Sequence, residues 1–168
     1  MAAETDSGAV VITSDPDVVG KATRIVLPGD GAFPHCHAQL GICVGMQMMA
    51  KRGFEYTETP GFGWIDGEIH KIAPTDATLP VPHMGWNDLV IDSPHPVLAG
   101  LKTGDHAYFV HSWQMQMGTP AQRLAHCDYA GDITAVVGRD TMIGTQFHPE
   151  KSQSAGLRMI ANFLNWKP

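Results

Sequence analysis

The sequence predicts an α/β domain with a mixed sheet flanked by helices, and three observations lead there. Short apolar runs, each closed by turn residues such as Pro, Gly and Asp, recur along the chain in the manner of buried strands. The stretch Met46-Gln47-Met48-Met49-Ala50-Lys51 is built of good helix formers and directly follows a Gly-x-Cys-x-Gly turn. Beyond Ser152, residues Leu157, Ile160, Ala161 and Leu164 fall at i, i+3, i+4 and i+7, the apolar stripe of a terminal helix. With 168 residues, positions 1–168 read as a single domain large enough for a proper core.

Residues 9–13 read as a buried strand ended by Ser14-Asp15-Pro16, and residues 24–27 as a second strand that runs into Pro28-Gly29-Asp30-Gly31. After the Cys-bearing turn and its helix, residues 65–72 and 86–91 read as strands on either side of the Pro-rich stretch 74–82. Residues 108–114, 122–129, 133–137 and 142–147 add four more, so the second half is rich in strands. Ser152 is placed to cap the last helix.

The chemistry concentrates on Cys43, His148 and Glu150. Gly41 and Gly45 flank Cys43 at minus two and plus two, the spacing that a sharp strand-to-helix turn needs to lift a nucleophile clear of the backbone. Such a turn sets the sulfur at a helix N-terminus, where the macrodipole favours thiolate over thiol. His148 and Glu150 supply a base and its orienter, because residues two apart in an extended segment share a face and Pro149 favours that extension. The order Cys, His, Glu suits thiol chemistry on an α/β scaffold. The Pro28-Gly29-Asp30-Gly31 turn has two readings, an ordinary tight turn or a set of backbone N–H groups presented to a developing oxyanion.

A formal charge of −6 argues against nucleic acid as a partner. No apolar run approaches the ~20 residues that cross a membrane, and the start Met1-Ala2-Ala3-Glu4-Thr5-Asp6 lacks the basic and apolar regions of a signal peptide, so a cytoplasmic location is expected. Cys36, Cys43 and Cys127 are an odd count without a Cys-x-x-Cys, which argues against a disulfide framework. His35-Cys36-His37 has no second ligand cluster at zinc-site spacing, so neither metal nor other cofactor is expected.

Taken together, Gly41-Ile42-Cys43-Val44-Gly45-Met46-Gln47, Pro28-Gly29-Asp30-Gly31-Ala32-Phe33 and Gln146-Phe147-His148-Pro149-Glu150-Lys151-Ser152 resemble the motifs of the triad-type (class I) glutamine amidotransferases. Within that class, Gly61-Phe62-Gly63-Trp64, Pro82-His83-Met84-Gly85-Trp86-Asn87 and Tyr108-Phe109-Val110-His111-Ser112 resemble the glutaminase subunits of imidazole glycerol phosphate synthase, of histidine biosynthesis. The resemblance implies that Cys43 attacks the side-chain amide of glutamine, that His148 delivers a proton to departing ammonia and that Glu150 orients His148. It assigns the oxyanion to the backbone N–H of Val44 and to the turn of Gly29 and Gly31, and it puts Gln47, His111, Ser112 and Trp113 among the groups that hold glutamine. Ammonia would then pass, without release to water, to a separate (β/α)₈-barrel cyclase subunit. There it would react with a phosphoribulosyl formimino intermediate to give imidazole glycerol phosphate and an aminoimidazole carboxamide ribotide. Met84 and Trp86 read as core or as an apolar part of the cyclase interface. Lys151 reads as a solvated charge or a partner contact, and His111 reads also as a satisfied buried histidine. His83, His95, His106 and His126 carry no role at this stage.

Two departures from the family pattern shape the expected fold. Family members open with a strand carrying an Asp-Tyr-Gly-Ser-Gly-Asn-like turn and then a helix, and that unit is missing here. Only seven residues separate Phe33 from Gly41, whereas a parallel crossover needs about 10–12 or more. The expectation is therefore a class I amidotransferase-like sheet without its first strand-helix unit and without one crossover helix, in which His37-Ala38-Gln39-Leu40 is a weak strand for launching the Cys43 turn. Two functional classes follow: an active glutaminase subunit, or a non-catalytic remnant or regulatory partner of the cyclase. A glutaminase of anthranilate or guanylate synthesis would share Cys43, His148 and Glu150 but not the Pro-His-Met-Gly-Trp-Asn motif.

Overall fold

The computed structural model describes residues 10–27 and 39–168. In chain order these form α1 (Pro16–Val19), β1 (Ile25–Leu27), β2 (Gln39–Ile42), α2 (Val44–Gln47), β3 (Arg52–Gly53), β4 (Thr59–Pro60), β5 (Gly67–Lys71), β6 (His83–Asp88), β7 (Val90–Ile91), β8 (His106–His111), β9 (Trp113–Met117), β10 (Arg123–Asp128), β11 (Asp132–Arg139), β12 (Met142–Thr145) and α3 (Gln153–Asn165). The main sheet has six strands in the order β1-β2-β12-β11-β10-β7. Strand β2 runs parallel to both neighbours, with Gly41 opposite Leu27 on one side and Gly144 on the other, while the remaining pairs are antiparallel. A second sheet has the order β4-β3-β5-β9, and β6 pairs with β8 in a two-stranded ribbon.

Strand β11 shows why the main sheet is the centre of the molecule. Residues Ile133, Thr134, Ala135, Val136 and Val137 are all buried, as a strand covered on both faces requires. Successive residues point to opposite faces, and Val136 and Val137 accordingly belong to two different cores. One core gathers Leu89, Phe109, Phe147, Met159 and Phe163, with α3 as its outer layer. The other gathers Met46 and Met49 from α2 and its exit with Ile65, just before β5, and Ile69 and Met115 from the second sheet.

Helix α3 forms where expected but is rotated. Its buried residues are Gly156, Met159 and Phe163, with Trp166 beyond its end, whereas Leu157 of the expected stripe is 57% exposed. The cause is a close approach: a Cβ at position 156 would collide with the Pro149 carbonyl, so the helix turns its one glycine toward that loop and carries residues three and seven further on into the core. Arg24 closes the other end, its Nε donating to Phe163 O at 3.3 Å and its Nη2 to Trp166 O at 3.1 Å, a cation set against the helix C-terminus. Ser152 occupies the N-cap position without capping. Its hydroxyl instead donates to His148 O at 2.7 Å and accepts the Tyr108 N–H at 3.0 Å.

Other expectations need correction. No strand forms over 10–13, and Ala9 lies outside the described residues; Ile12 is wholly exposed, because an apolar run without a neighbouring ladder has nowhere to place its backbone groups. The expected strand 86–91 is two strands, since buried Leu89 breaks the ribbon by donating to Asp105 O at 2.8 Å and β7 joins the main sheet. The expected strand 108–114 likewise divides at Ser112 between the ribbon and the second sheet. Of the expected weak strand His37-Ala38-Gln39-Leu40, the first two residues lie outside the described residues, whereas Gln39 and Leu40 belong to Gln39–Ile42 and are paired on both sides.

Candidate active site

Strand β2 ends in a sharp elbow. Cys43 has φ 54° and ψ −111°, a conformation costly for a residue with a side chain. It is held by its own N–H on Thr145 O at 2.7 Å and by its carbonyl, which accepts the Gln47 N–H at 3.1 Å. Gly41 makes the elbow possible, because a Cβ there would stand 2.7 Å from Gly45 O and 2.8 Å from Met46 N. The expected nucleophile turn is therefore present.

The thiol is less activated than the sequence suggested. Burial pushes the Cys43 pKa up, and the Glu150 charge adds to that; the Val44 N–H and the Lys151 charge act in the opposite direction. A four-residue α2 supplies too small a dipole to offset desolvation. Cys127, buried in the core, is pushed up to about 12 and is chemically inert by comparison.

His148 follows β12, and its Nδ1 lies 2.8 Å from Glu150 Oε1. The intervening Pro149 does not extend the segment as expected. It opens a 3₁₀ turn over Pro149–Lys151 that still folds the carboxylate back onto the ring. Backbone bonds brace the ring's position, with His148 N–H on Tyr108 O at 3.0 Å and Ser152 bridging His148 O to Tyr108 N–H. Because Nδ1–H donates to the carboxylate, Nε2 is the nitrogen left for proton transfer.

Among the described residues, the hydrogen-bonding neighbour of the Cys43 sulfur is Gln146 Nε2 at 3.7 Å rather than His148. Gln146 is fully buried, and its Oε1 accepts from Gln47 Nε2 at 3.0 Å, which also donates to Trp113 O at 3.0 Å. Sequence reasoning gave Gln146 no role; its one available signal was an amide in the largely apolar run 142–147, two residues before His148. His111 is buried, with Nδ1 2.8 Å from Trp113 O and Nε2 3.2 Å from His83 Nδ1. Its reading as a satisfied buried histidine is the one its contacts favour. Ser112 O accepts the Ile72 N–H at 2.9 Å. A cleft of about 400 Å³ lies beside Gln47, bounded by Met48, Arg52, Tyr56, Gly61 and Phe62, and Cys43 is not in its described wall.

Met84 and Trp86 are 62% and 47% exposed, so they are not core. They stand on β6, Trp86 edge-on to Tyr108 at 5.7 Å. Lys151 is exposed. Gly29, Gly31 and the His35-Cys36-His37 stretch lie outside the described residues, and no group of His, Cys, Asp and Glu among the described residues could hold a metal. No helix among them is long and apolar enough to cross a membrane.

The class-I glutamine amidotransferase family matches residues 5–166. The chain is 60% identical to the imidazole glycerol phosphate synthase subunit HisH of Cereibacter sphaeroides, over all of this chain and 90% of that protein, and 56% identical to the same subunit of Ruegeria pomeroyi with the same coverage. The first alignment runs over 190 positions, against the 168 residues of this chain. In fold the chain is similar to a putative GMP synthase protein of Thermoplasma acidophilum, with a TM-score of 0.55 at 20% identity over 76% of this chain and 56% of that one. Another solved glutamine amidotransferase gives a TM-score of 0.53 at 21% identity, over 77% of this chain and 61% of that one. The matched span, the Cys43 elbow and the identity to two HisH proteins together show that this chain belongs to the class-I glutamine amidotransferases and, within them, to the HisH subunits of imidazole glycerol phosphate synthase.

Proposed function

We propose that this chain releases ammonia from glutamine at Cys43 and delivers it to a (β/α)₈-barrel cyclase subunit, which makes imidazole glycerol phosphate and an aminoimidazole carboxamide ribotide. The observation that carries the reading is the elbow, where Cys43 is held at φ 54° at the end of the twice-paired β2. Burial keeps the resting sulfur protonated, so attack on the amide carbon requires a base to remove the proton as the carbon–sulfur bond forms. His148, its Nδ1–H donating to Glu150, accepts the thiol proton at Nε2 and passes it to the leaving nitrogen as the carbon–nitrogen bond breaks. Water then cleaves the thioester to give glutamate and the free thiol.

The Val44 N–H, together with Gly29 and Gly31, is read as the oxyanion site. Gln47, Ser112 and Trp113 are read as the wall that places glutamine, with His111 acting from behind Trp113 O. Exposed Met84 and Trp86 on β6 have the chemistry of an interface core, and Lys151 that of its charged rim, which supports the cyclase docking on that face. Residues 1–168 form one amidotransferase domain in this reading, with no nucleic acid and no metal in its reaction. A cytoplasmic site suits two described cysteines that are both free thiols. The reading is tested by treating the cyclase complex with a diazoketone analogue of glutamine: a single adduct on Cys43, blocked by glutamine, is expected, whereas labelling of Cys127 instead would overturn it.

A further inference from the structure

A line of hydrogen bonds runs from β6 to the thiol, and its direction can be read bond by bond. At one end, Asn87 is oriented by its neighbours, its Oδ1 accepting the Asp88 N–H at 2.8 Å and its Nδ2 donating to Asp128 O at 2.9 Å. That Nδ2 lies 3.3 Å from His83 Nε2, so this nitrogen is the acceptor and the His83 proton sits on Nδ1. At the other end, Trp113 O can only accept, so His111 Nδ1 at 2.8 Å carries a proton and His111 Nε2 does not. The two deductions are independent, and they meet at the 3.2 Å contact between His83 Nδ1 and His111 Nε2 as one N–H facing one lone pair. From Trp113 O the line continues through Gln47 Nε2, which donates both to that carbonyl and to Gln146 Oε1, each at 3.0 Å. With its oxygen so engaged, Gln146 turns its N–H₂ to the Cys43 sulfur at 3.7 Å.

We propose that His83 and His111 are positioning residues, both protonated on Nδ1, whose paired rings tie the strand bearing Met84 and Trp86 to the Trp113 carbonyl and through it hold the Gln47 and Gln146 amides on Cys43. The proposal rests on the glutaminase reading and deepens it. The rings are built in for this geometry: both are buried, and His83 is stacked on Tyr129 at 4.1 Å and on Phe109 at 4.8 Å, which holds its ring plane. Isolated histidine favours the proton on Nε2, so two buried rings that both carry it on Nδ1 are a signature that packing alone does not demand.

The test uses the chain labelled with ¹⁵N-histidine in complex with unlabelled cyclase. Nine histidines give nine ring systems, and His83→Phe and His111→Asn identify the two signals by removing them one at a time. Directly bonded protons on Nδ1 and pyridine-type Nε2 at both rings are expected; an Nε2 proton on either ring overturns the proposal. In kinetics, His83→Phe keeps the stacked ring but removes the donor to His111, and glutamine hydrolysis by the complex should lose roughly threefold to tenfold in kcat with a smaller change in KM. His83→Asn, which retains a donor at the Nδ1 position, should recover most of that loss. Wild-type kcat in His83→Phe, or no recovery in His83→Asn, counts against the relay. Cys43→Ala run in parallel separates the two levels, since residual hydrolysis there defeats the glutaminase reading itself whatever the tautomers show.

Discussion

Replacing Gly41 by alanine tests the elbow in a way that no polar residue can. The new Cβ would stand 2.7 Å from Gly45 O, 2.8 Å from Gly45 C and 2.8 Å from Met46 N. All three are backbone atoms, so no side-chain rotation relieves the contact. Carbon needs about 3.5 Å from such atoms, and the first turn of α2 must therefore retreat by roughly 0.7 Å or β2 must bend. Overpacking of this kind costs about 1–3 kcal/mol, which for a chain of this size lowers Tm by roughly 3–10 °C. The same retreat moves the sulfur relative to His148, and a misplacement approaching 1 Å lowers kcat by about 10- to 100-fold. Scanning calorimetry and glutamine hydrolysis in the cyclase complex measure both effects. Gly20→Ala is the control, because its Cβ meets only Pro16 O at 3.2 Å on a right-handed backbone with φ −61°, and it should leave kcat unchanged. A Gly41→Ala chain with wild-type Tm and turnover would refute the packing argument for the elbow.

Three further outcomes are expected. His148→Ala should lower glutamine hydrolysis by about 10³-fold or more and Glu150→Gln by about 10- to 100-fold, since the first removes the proton carrier and the second only its alignment; equal or reversed losses in steady-state rates contradict these roles. Burial, with the neighbouring rings adding to it, lowers the His83 and His111 pKa values to about 4 from 6.5, so the unfolded chain binds protons that the folded chain refuses. The stability this represents is present above pH 6.5 and is lost as pH falls toward 4, and urea midpoints across that window should fall less in His83→Phe than in the parent. Ser152→Ala leaves the Tyr108 N–H without its hydroxyl and releases His148 O, so urea unfolding should show a loss of about 1–3 kcal/mol together with a fall in glutaminase rate.

What could be read from the sequence was whatever depends on neighbours along the chain. The elbow is legible from Gly41, Cys43 and Gly45 because its constraint is steric and local, and His148 and Glu150 are legible because two residues apart is close in almost any conformation. Partition between sheets was not legible. Leu89 and Ser112 interrupt runs that look continuous, and only the tertiary pairing of β7 with β10 and of β9 with β5 decides that they do. The rotation of α3 escaped for a related reason, since Leu157, Ile160 and Leu164 make as good a stripe as Gly156, Met159 and Phe163 until the Pro149 carbonyl is in place. Thiol activation was misjudged because a dipole can be guessed from a turn, whereas desolvation depends on everything that packs over the sulfur. The His83–His111 pair lies 28 residues apart in sequence and needed the register of β6 against β8, His83 opposite His111, to appear.

The decisive measurement follows the nitrogen. The complex with cyclase is supplied with glutamine labelled with ¹⁵N in its side-chain amide, in parallel for the parent chain and Cys43→Ala, and imidazole glycerol phosphate is analysed by mass spectrometry. The parent should place the label in the product, and the Cys43→Ala complex should place none there while still making product from added ammonium salt, because the thiol acts only in freeing ammonia. Label appearing in product made by the Cys43→Ala complex would contradict the assignment of glutamine cleavage to Cys43.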